Sequence, residues 1–172
     1  DLVAQAVNSG RVDAAVIEND SGVILGQGLA YDRCQVGVVT NIDDGDHLGD
    51  FDINETERMF NVFRTQVDVV LPGGSTVLNA RDPRVVEMAE LSDGAVIFFG
   101  IDPALPAITA HLQQDGRAVF VRDGGIVLAQ GTREERLATV ASIPLTHGGR
   151  VAFQVENVLA AVGAAWALDI PV

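Results

Sequence analysis

Apolar runs alternate with turn residues along most of the chain and divide it into short segments. Leu2, Val3, Ala6 and Val7 recur at a helical period, and Asn8-Ser9-Gly10 stops them as a helix end does. Asp13–Asn19 (DAAVIEN) reads as a strand buried on both faces, closed by Glu18, Asn19 and Asp20. Ser21-Gly22 and Gly26–Gly28 then leave room for a short helix or turn that ends near Tyr31. Val36–Thr40 is a second buried strand, and the crossover between the two is the alternation of a parallel sheet.

Asn54 followed by Glu57 predicts a helix N-cap with an acidic residue at the third helical position. Met59, Phe60, Phe63, Val67 and Val70 keep a helical period from there to Pro72-Gly73-Gly74. Ser75–Pro83 predicts a third strand with Asn79, Arg81 and Asp82 at its end, Val85–Leu91 a short helix, and Ala95–Phe99 a fourth strand closed by Gly100.

The pattern changes after Gly100. Ala107–His111, Ala118–Arg122, Ile126–Ala129 and Arg136–Val140 all have strand composition, with turn residues Asp123-Gly124-Gly125 between the second and third. The expectation is an antiparallel meander over residues 107–143, with His111 as a rim or face residue. Pro144–Gly149 reads as a loop holding His147. Val155–Leu168 is an Ala-rich helix in which Ala160, Ala161, Ala164 and Ala165 are expected to pack on the sheet. The whole predicts an α/β fold: one domain over residues 1–172, a mostly parallel sheet flanked by helices, with a small antiparallel β meander appended.

Composition narrows the function. A hydrophobic content of 48% is ample for a core, and 172 residues suit one domain or a large part of one. The net charge is −13, and all 11 basic residues are arginines. That balance argues against a nucleic-acid or anionic-membrane partner and excludes a phosphate-loop or Schiff-base lysine within these residues. The single cysteine, Cys34, excludes an internal disulfide and points to a reducing, cytoplasmic compartment. No apolar run approaches the ~18 residues of a membrane span. The first residues lack signal-peptide character and look like a helix entered partway, which suggests a piece of something larger.

Candidate chemistry gathers at predicted strand ends, where open α/β sheets bind ligands. After Val36–Thr40 come Asn41, the acidic turn Asp43, Asp44, Gly45, Asp46, and then His47. Such a set suits a divalent metal with a polyphosphate, or a solvated turn with a surface histidine. Glu18 is likewise either a metal ligand or a loop residue in water.

Five collinear pieces, DAAVIEND, GLAYDRCQVGVVTNI, DHLG, VLNARDP and IPLTHGGRVAFQVENVLAAVGAAWAL, run through nearly the whole chain. In them the sequence resembles the central domain of Mur-type ligases, most closely the branch found in cyanophycin synthetases. The resemblance implies a P-loop NTPase-like α/β domain, incomplete at its N-terminus, that binds ATP with Mg²⁺. It implies an ADP-forming amide ligase: ATP phosphorylates a carboxylate, and an amino acid such as arginine displaces phosphate from the acyl phosphate. Glu18 and His47 would be metal ligands, Asn157 would lie near the adenine, and Asn79 and Asp82 would have a structural or nucleotide-edge role. The partners implied are the rest of a parent ligase chain, an amino-acid or polypeptide substrate, and further copies in a homo-oligomer.

The departures from the family are specific. Its Gly-x-x-Gly-Lys-Thr loop is absent from residues 1–172; in the family it lies upstream of the position of Glu18. Phe63 stands where the family has a metal- and acyl-phosphate-holding lysine, so no catalytic residue is identified. Phe153 replaces a histidine at the nucleotide edge, and Arg81 replaces the first Asp of an Asn-Ala-Asp-Asp segment. Ser21 and Val23 interrupt a Glu-Thr-Ala-Arg-Gly-Gly run, and one extra residue separates Asn41 from His47. A second expectation is therefore a scaffold or oligomerisation domain of the same fold that no longer binds ATP. A folylpolyglutamate-synthase-like ligase is a third, with a poorer match around Tyr31–Asn41.

Overall fold

The computed structural model describes residue 10 and residues 12–42, 49–51 and 56–171. Their centre is a six-stranded sheet with neighbours in chain order: β1 (Cys34–Val39), β2 (Val70–Asn79), β3 (Ala95–Gly100), β4 (Arg117–Arg122), β5 (Gly125–Gln130) and β6 (Arg133–Thr139). β1 to β4 are parallel, and β4, β5 and β6 are antiparallel. The meander is thus part of one continuous sheet, sharing β4 with the parallel half. Asp123 and Gly124, both at positive φ, form the two-residue turn between β4 and β5.

Side chains alternate across the sheet at the strand period of two, and both sets are buried. Leu78, Phe98, Ala118 and Phe120 point to one layer, and Val77, Ile97, Phe99 and Val119 to the other. The first layer is covered by α1 (Ser21–Gln27), α2 (Thr56–Asp68), α3 (Pro83–Glu87) and α4 (Pro106–Gln113). α2 presents Met59, Phe63 and Val67, four residues apart, to this layer and leaves Arg64 and Asp68 outside as an ion pair. It passes close to β1 at Gly37, where a Cβ would sit 2.6 Å from the Gln66 carbonyl oxygen.

The second layer is covered by α5 (Ala152–Ala167). Val155, Val158, Leu159 and Ala160 are buried, while Ala161 is exposed and Ala164 and Ala165 are only partly covered. The close contact comes instead from Gly163, whose added Cβ would stand 2.8 Å from Val77 Cγ1.

Three expectations are corrected. Ala107–His111 belongs to α4: Pro106 occupies the first helical turn, where its missing N–H costs nothing. Val70 is the first residue of β2 rather than the end of α2, and Pro72-Gly73-Gly74 lies inside β2, where the register to β1 shifts. Asp13–Asn19 is neither helix nor strand and pairs with no strand of the sheet, and Val16 is fully exposed. A strand buried on two faces needs neighbours that the described residues do not provide. The Leu2–Val7 helix and the Asn54 cap lie outside the described residues.

Gly163→Val should lower stability by about 2 kcal/mol or more, because two further methyl groups must enter a closed contact. Ala161→Val, two residues away on the exposed face, should shift it by under about 1 kcal/mol. Urea unfolding of both variants checks the assignment of the packed face; equal effects would contradict it.

Candidate functional site

The carboxyl ends of β1 and β2 open into a cleft of about 530 Å³ lined by Asn41, Asn79, Arg81, Asp82, Pro83, Arg84 and Glu156. Asn79, buried at the last position of β2, builds its inner wall. Its Nδ2 donates to the Thr40 carbonyl at 2.9 Å, and its Oδ1 accepts from the Arg81 N–H at 2.9 Å. One amide thus ties the end of β1 to the turn after β2.

Asp82 does the same one step further on. It caps α3 by accepting from the Arg84 N–H at 3.0 Å, and its second oxygen accepts from the Ile42 N–H at 3.4 Å. Arg84 returns to that residue, donating to the Ile42 carbonyl at 2.9 Å and pairing with Asp82 at 3.5 Å. Both backbone groups of Ile42 are therefore held from the β2–α3 turn.

Arg81 leaves that turn in the other direction. Its side chain is 71% exposed, and Nη1 reaches Glu156 Oε1 of α5 at 3.2 Å, a carboxylate only 16% exposed. Glu156 and Arg84 were not singled out in the sequence. Arg81 and Glu156 are far apart in the chain, and no local pattern announces the pair. Asn157 follows Glu156 on α5 but is exposed, bonded to Gln154 at 3.4 Å, and does not line the cleft.

Of the two candidate metal ligands, Glu18 and His47, only Glu18 lies among the described residues. Glu18 is exposed and lies outside the cleft. Its neighbour Asn19 donates to the Tyr31 hydroxyl at 2.9 Å and to Gln66 at 3.5 Å, on the flank of β1. Burial pushes the Tyr31 hydroxyl pKa up against this hydrogen bond. His47 and the acidic turn lie outside the described residues. Among the described residues no three His, Cys, Asp or Glu side chains are grouped to hold a metal ion. Both Asp82 oxygens already accept from backbone N–H groups, so the described part of the cleft does not fit Mg²⁺ by itself.

Phe63 sits in the core beneath β1 with Met59, Val67 and Val39. Phe153, in the first turn of α5, is 62% exposed. His111 is neither exposed nor a ligand: Nε2 lies 3.0 Å from the Val96 carbonyl, and the ring meets Phe98 edge-on. No helix among the described residues is long and apolar enough to cross a membrane.

Residues 2–165 match the Mur ligase middle domain family. The chain belongs to that family. Among its relatives, cyanophycin synthetase from Crocosphaera subtropica is 39% identical and that from Synechocystis sp. 40% identical, each over 94% of this chain. The chain spans about a fifth of their length: 18% and 19%. MurF from Acinetobacter baumannii is a structural neighbour at 20% identity, with a TM-score of 0.47 over 80% of this chain and 27% of that one. The family match over residues 2–165 makes the α/β fold that of a Mur ligase middle domain, and the cleft lies on the carboxyl edge of its sheet.

Asn79→Ala should cost about 2 kcal/mol, because it strips partners from the Thr40 carbonyl and the Arg81 N–H together. Asn157→Ala should stay within about 0.5 kcal/mol. Thermal melts of the two separate a structural amide from an exposed one, and a mild Asn79 variant would contradict the wall described above.

Proposed function

We propose that this Mur ligase middle domain works within a longer ADP-forming amide ligase of the cyanophycin-synthetase kind. The reading is carried by the identity of 39–40% to cyanophycin synthetases over nearly the whole chain. In this reaction the γ-phosphoryl group of ATP passes to a carboxylate, giving ADP and an acyl phosphate. The amine of an amino acid such as arginine then attacks the acyl carbon, phosphate leaves, and the amine proton goes to solvent.

The cleft serves as the outer wall of the nucleotide site. Asn79 and Asp82 shape it through the backbone, because their polar atoms are already engaged. Arg81, Asn41 and Glu156 offer the groups that face a ligand. Phosphoryl transfer needs charge neutralisation and positioning above all, and the described cleft supplies neither a phosphate cradle nor a metal site. On this proposal the 172-residue chain alone is expected to be inactive.

A second reading, a scaffold that no longer binds ATP, draws on Phe63. Its ring is a core side chain, so a lysine placed there would lose its packing and bury a charge. Phe63→Lys should cost about 3 kcal/mol or more and should create no ligase activity in this chain. ADP release coupled to amide formation by that variant would refute the expectation.

The deciding assay uses the longer polypeptide with ATP, arginine and a β-carboxylate acceptor. One ADP and one phosphate per amide formed is the expected result. Release of AMP and pyrophosphate, or a folded protein with no turnover, would overturn the ligase reading, and the second outcome would favour the scaffold. Calorimetry of the 172-residue chain with Mg-ATP should show no binding at micromolar concentration; micromolar affinity would contradict the incomplete site.

A further inference from the structure

Arg81 and Arg84 leave the same short turn with opposite commitments. Arg84 gives its guanidinium to the Ile42 carbonyl and to Asp82, so its charge serves the loop after β1. The Arg81 N–H is held by Asn79 Oδ1, which anchors the root of a side chain that stays 71% exposed. Among the described residues its guanidinium has one hydrogen-bonding partner, Glu156 Oε1 at 3.2 Å, met by Nη1 alone. A single-pronged contact lacks the two parallel N–H bonds that make an arginine–carboxylate fork strong.

The charged side chains lining the cleft are Arg81, Asp82, Arg84 and Glu156. Asp82 and Arg84 answer each other, so Arg81 is the cation left for a ligand, and Glu156 masks it. The chain carries a net charge of −13 and no lysine. An anionic substrate therefore finds little long-range attraction and needs a cation at the site itself. The masking pair joins the β2–α3 turn to the N-terminal half of α5, two elements that face each other across the cleft.

We propose that Arg81 binds an oxyanion of the substrate, phosphoryl or carboxylate, and that Glu156 is a latch holding this arginine until the anion displaces it. The proposal rests on reading the cleft as a wall of the nucleotide site. Binding exchanges one ion pair for another: the guanidinium swings about its anchored backbone onto the ligand, and the Glu156 carboxylate is left to water. The apparent affinity is the intrinsic one scaled by the fraction of molecules with Arg81 unlatched. Glu156 thus opposes binding although it lines the cleft, and removing its charge acts in the direction opposite to removing a ligand contact.

Titration calorimetry of the longer polypeptide tests this without turnover, with Mg-ADP, adenosine and a short aspartate peptide as probes. Glu156→Gln, which keeps the size and removes the charge, should tighten Mg-ADP binding about 3- to 5-fold. Arg81→Gln should weaken it about 10-fold, and adding Glu156→Gln to that variant should change nothing further. Adenosine, which has no anionic group, should bind the single variants and the unsubstituted protein alike. The same pattern with the aspartate peptide in place of Mg-ADP would put the carboxylate, rather than the phosphoryl group, on Arg81. Weaker binding of both anions by Glu156→Gln would overturn the latch, because Glu156 would then be a ligand contact. A tightening that extends to adenosine, or that persists without Arg81, would overturn it too. Binding of an anion untouched by either substitution would overturn this inference alone. Failure of the unsubstituted polypeptide to bind either anion would overturn the ligase reading and this inference with it.

Discussion

The side-chain amide of Asn79 is the interaction on which the cleft depends. A parallel sheet ends in loops whose backbone groups have left the ladder, and each buried group must find another partner. Asn79 supplies two at once, one to the end of β1 and one to the turn after β2. Asp82 and Arg84 continue the same work at Ile42. Side chains of this kind look like ligand-binding groups in a sequence, yet here their hydrogen-bonding capacity goes largely into holding two loops in register. What remains for a ligand is the outer ring of Asn41, Arg81 and Glu156. The Arg81–Glu156 pair is partly exposed, so it adds under about 1 kcal/mol and can yield to an incoming group.

Much of the fold was legible because burial on both faces writes itself as unbroken apolar runs. The cores of β2, β3, β4 and β5 were found that way, and the Asp-Gly turn between β4 and β5 was marked by its own residues. α4 was misread because Ala107–His111 is too short to show a period, although Pro106 just ahead of it was an available signal of a helix start. Ala161 was placed in the interface by composition alone, whereas the geometry put Gly163 there, where only a missing side chain lets α5 approach Val77. Residues 13–19 were misread for a different reason: the pattern reports what a strand requires, not whether its neighbours are present.

The cleft was legible in part. Asn79 and Asp82 were singled out through resemblance, and the structure brings them together. Glu156 was invisible, because its meaning comes from Arg81, 75 residues earlier. Glu18 was marked by its place after an apolar run, and with that run unpaired it stays away from the cleft. Family membership and site completeness are thus separate matters in this chain. Sequence identity settles the first, and the commitments of individual polar atoms bear on the second.

The central claim is that Asn79 and Asp82 act as one clamp on the loop after β1. A double-mutant cycle of Asn79→Ala and Asp82→Ala, followed by urea unfolding, tests it most directly. Because both side chains hold the same short loop, the account predicts a coupling of about 0.5 kcal/mol or more, with the second substitution costing less once the first is made. Strictly additive losses would contradict the clamp and leave two unrelated hydrogen-bonding residues at the strand ends.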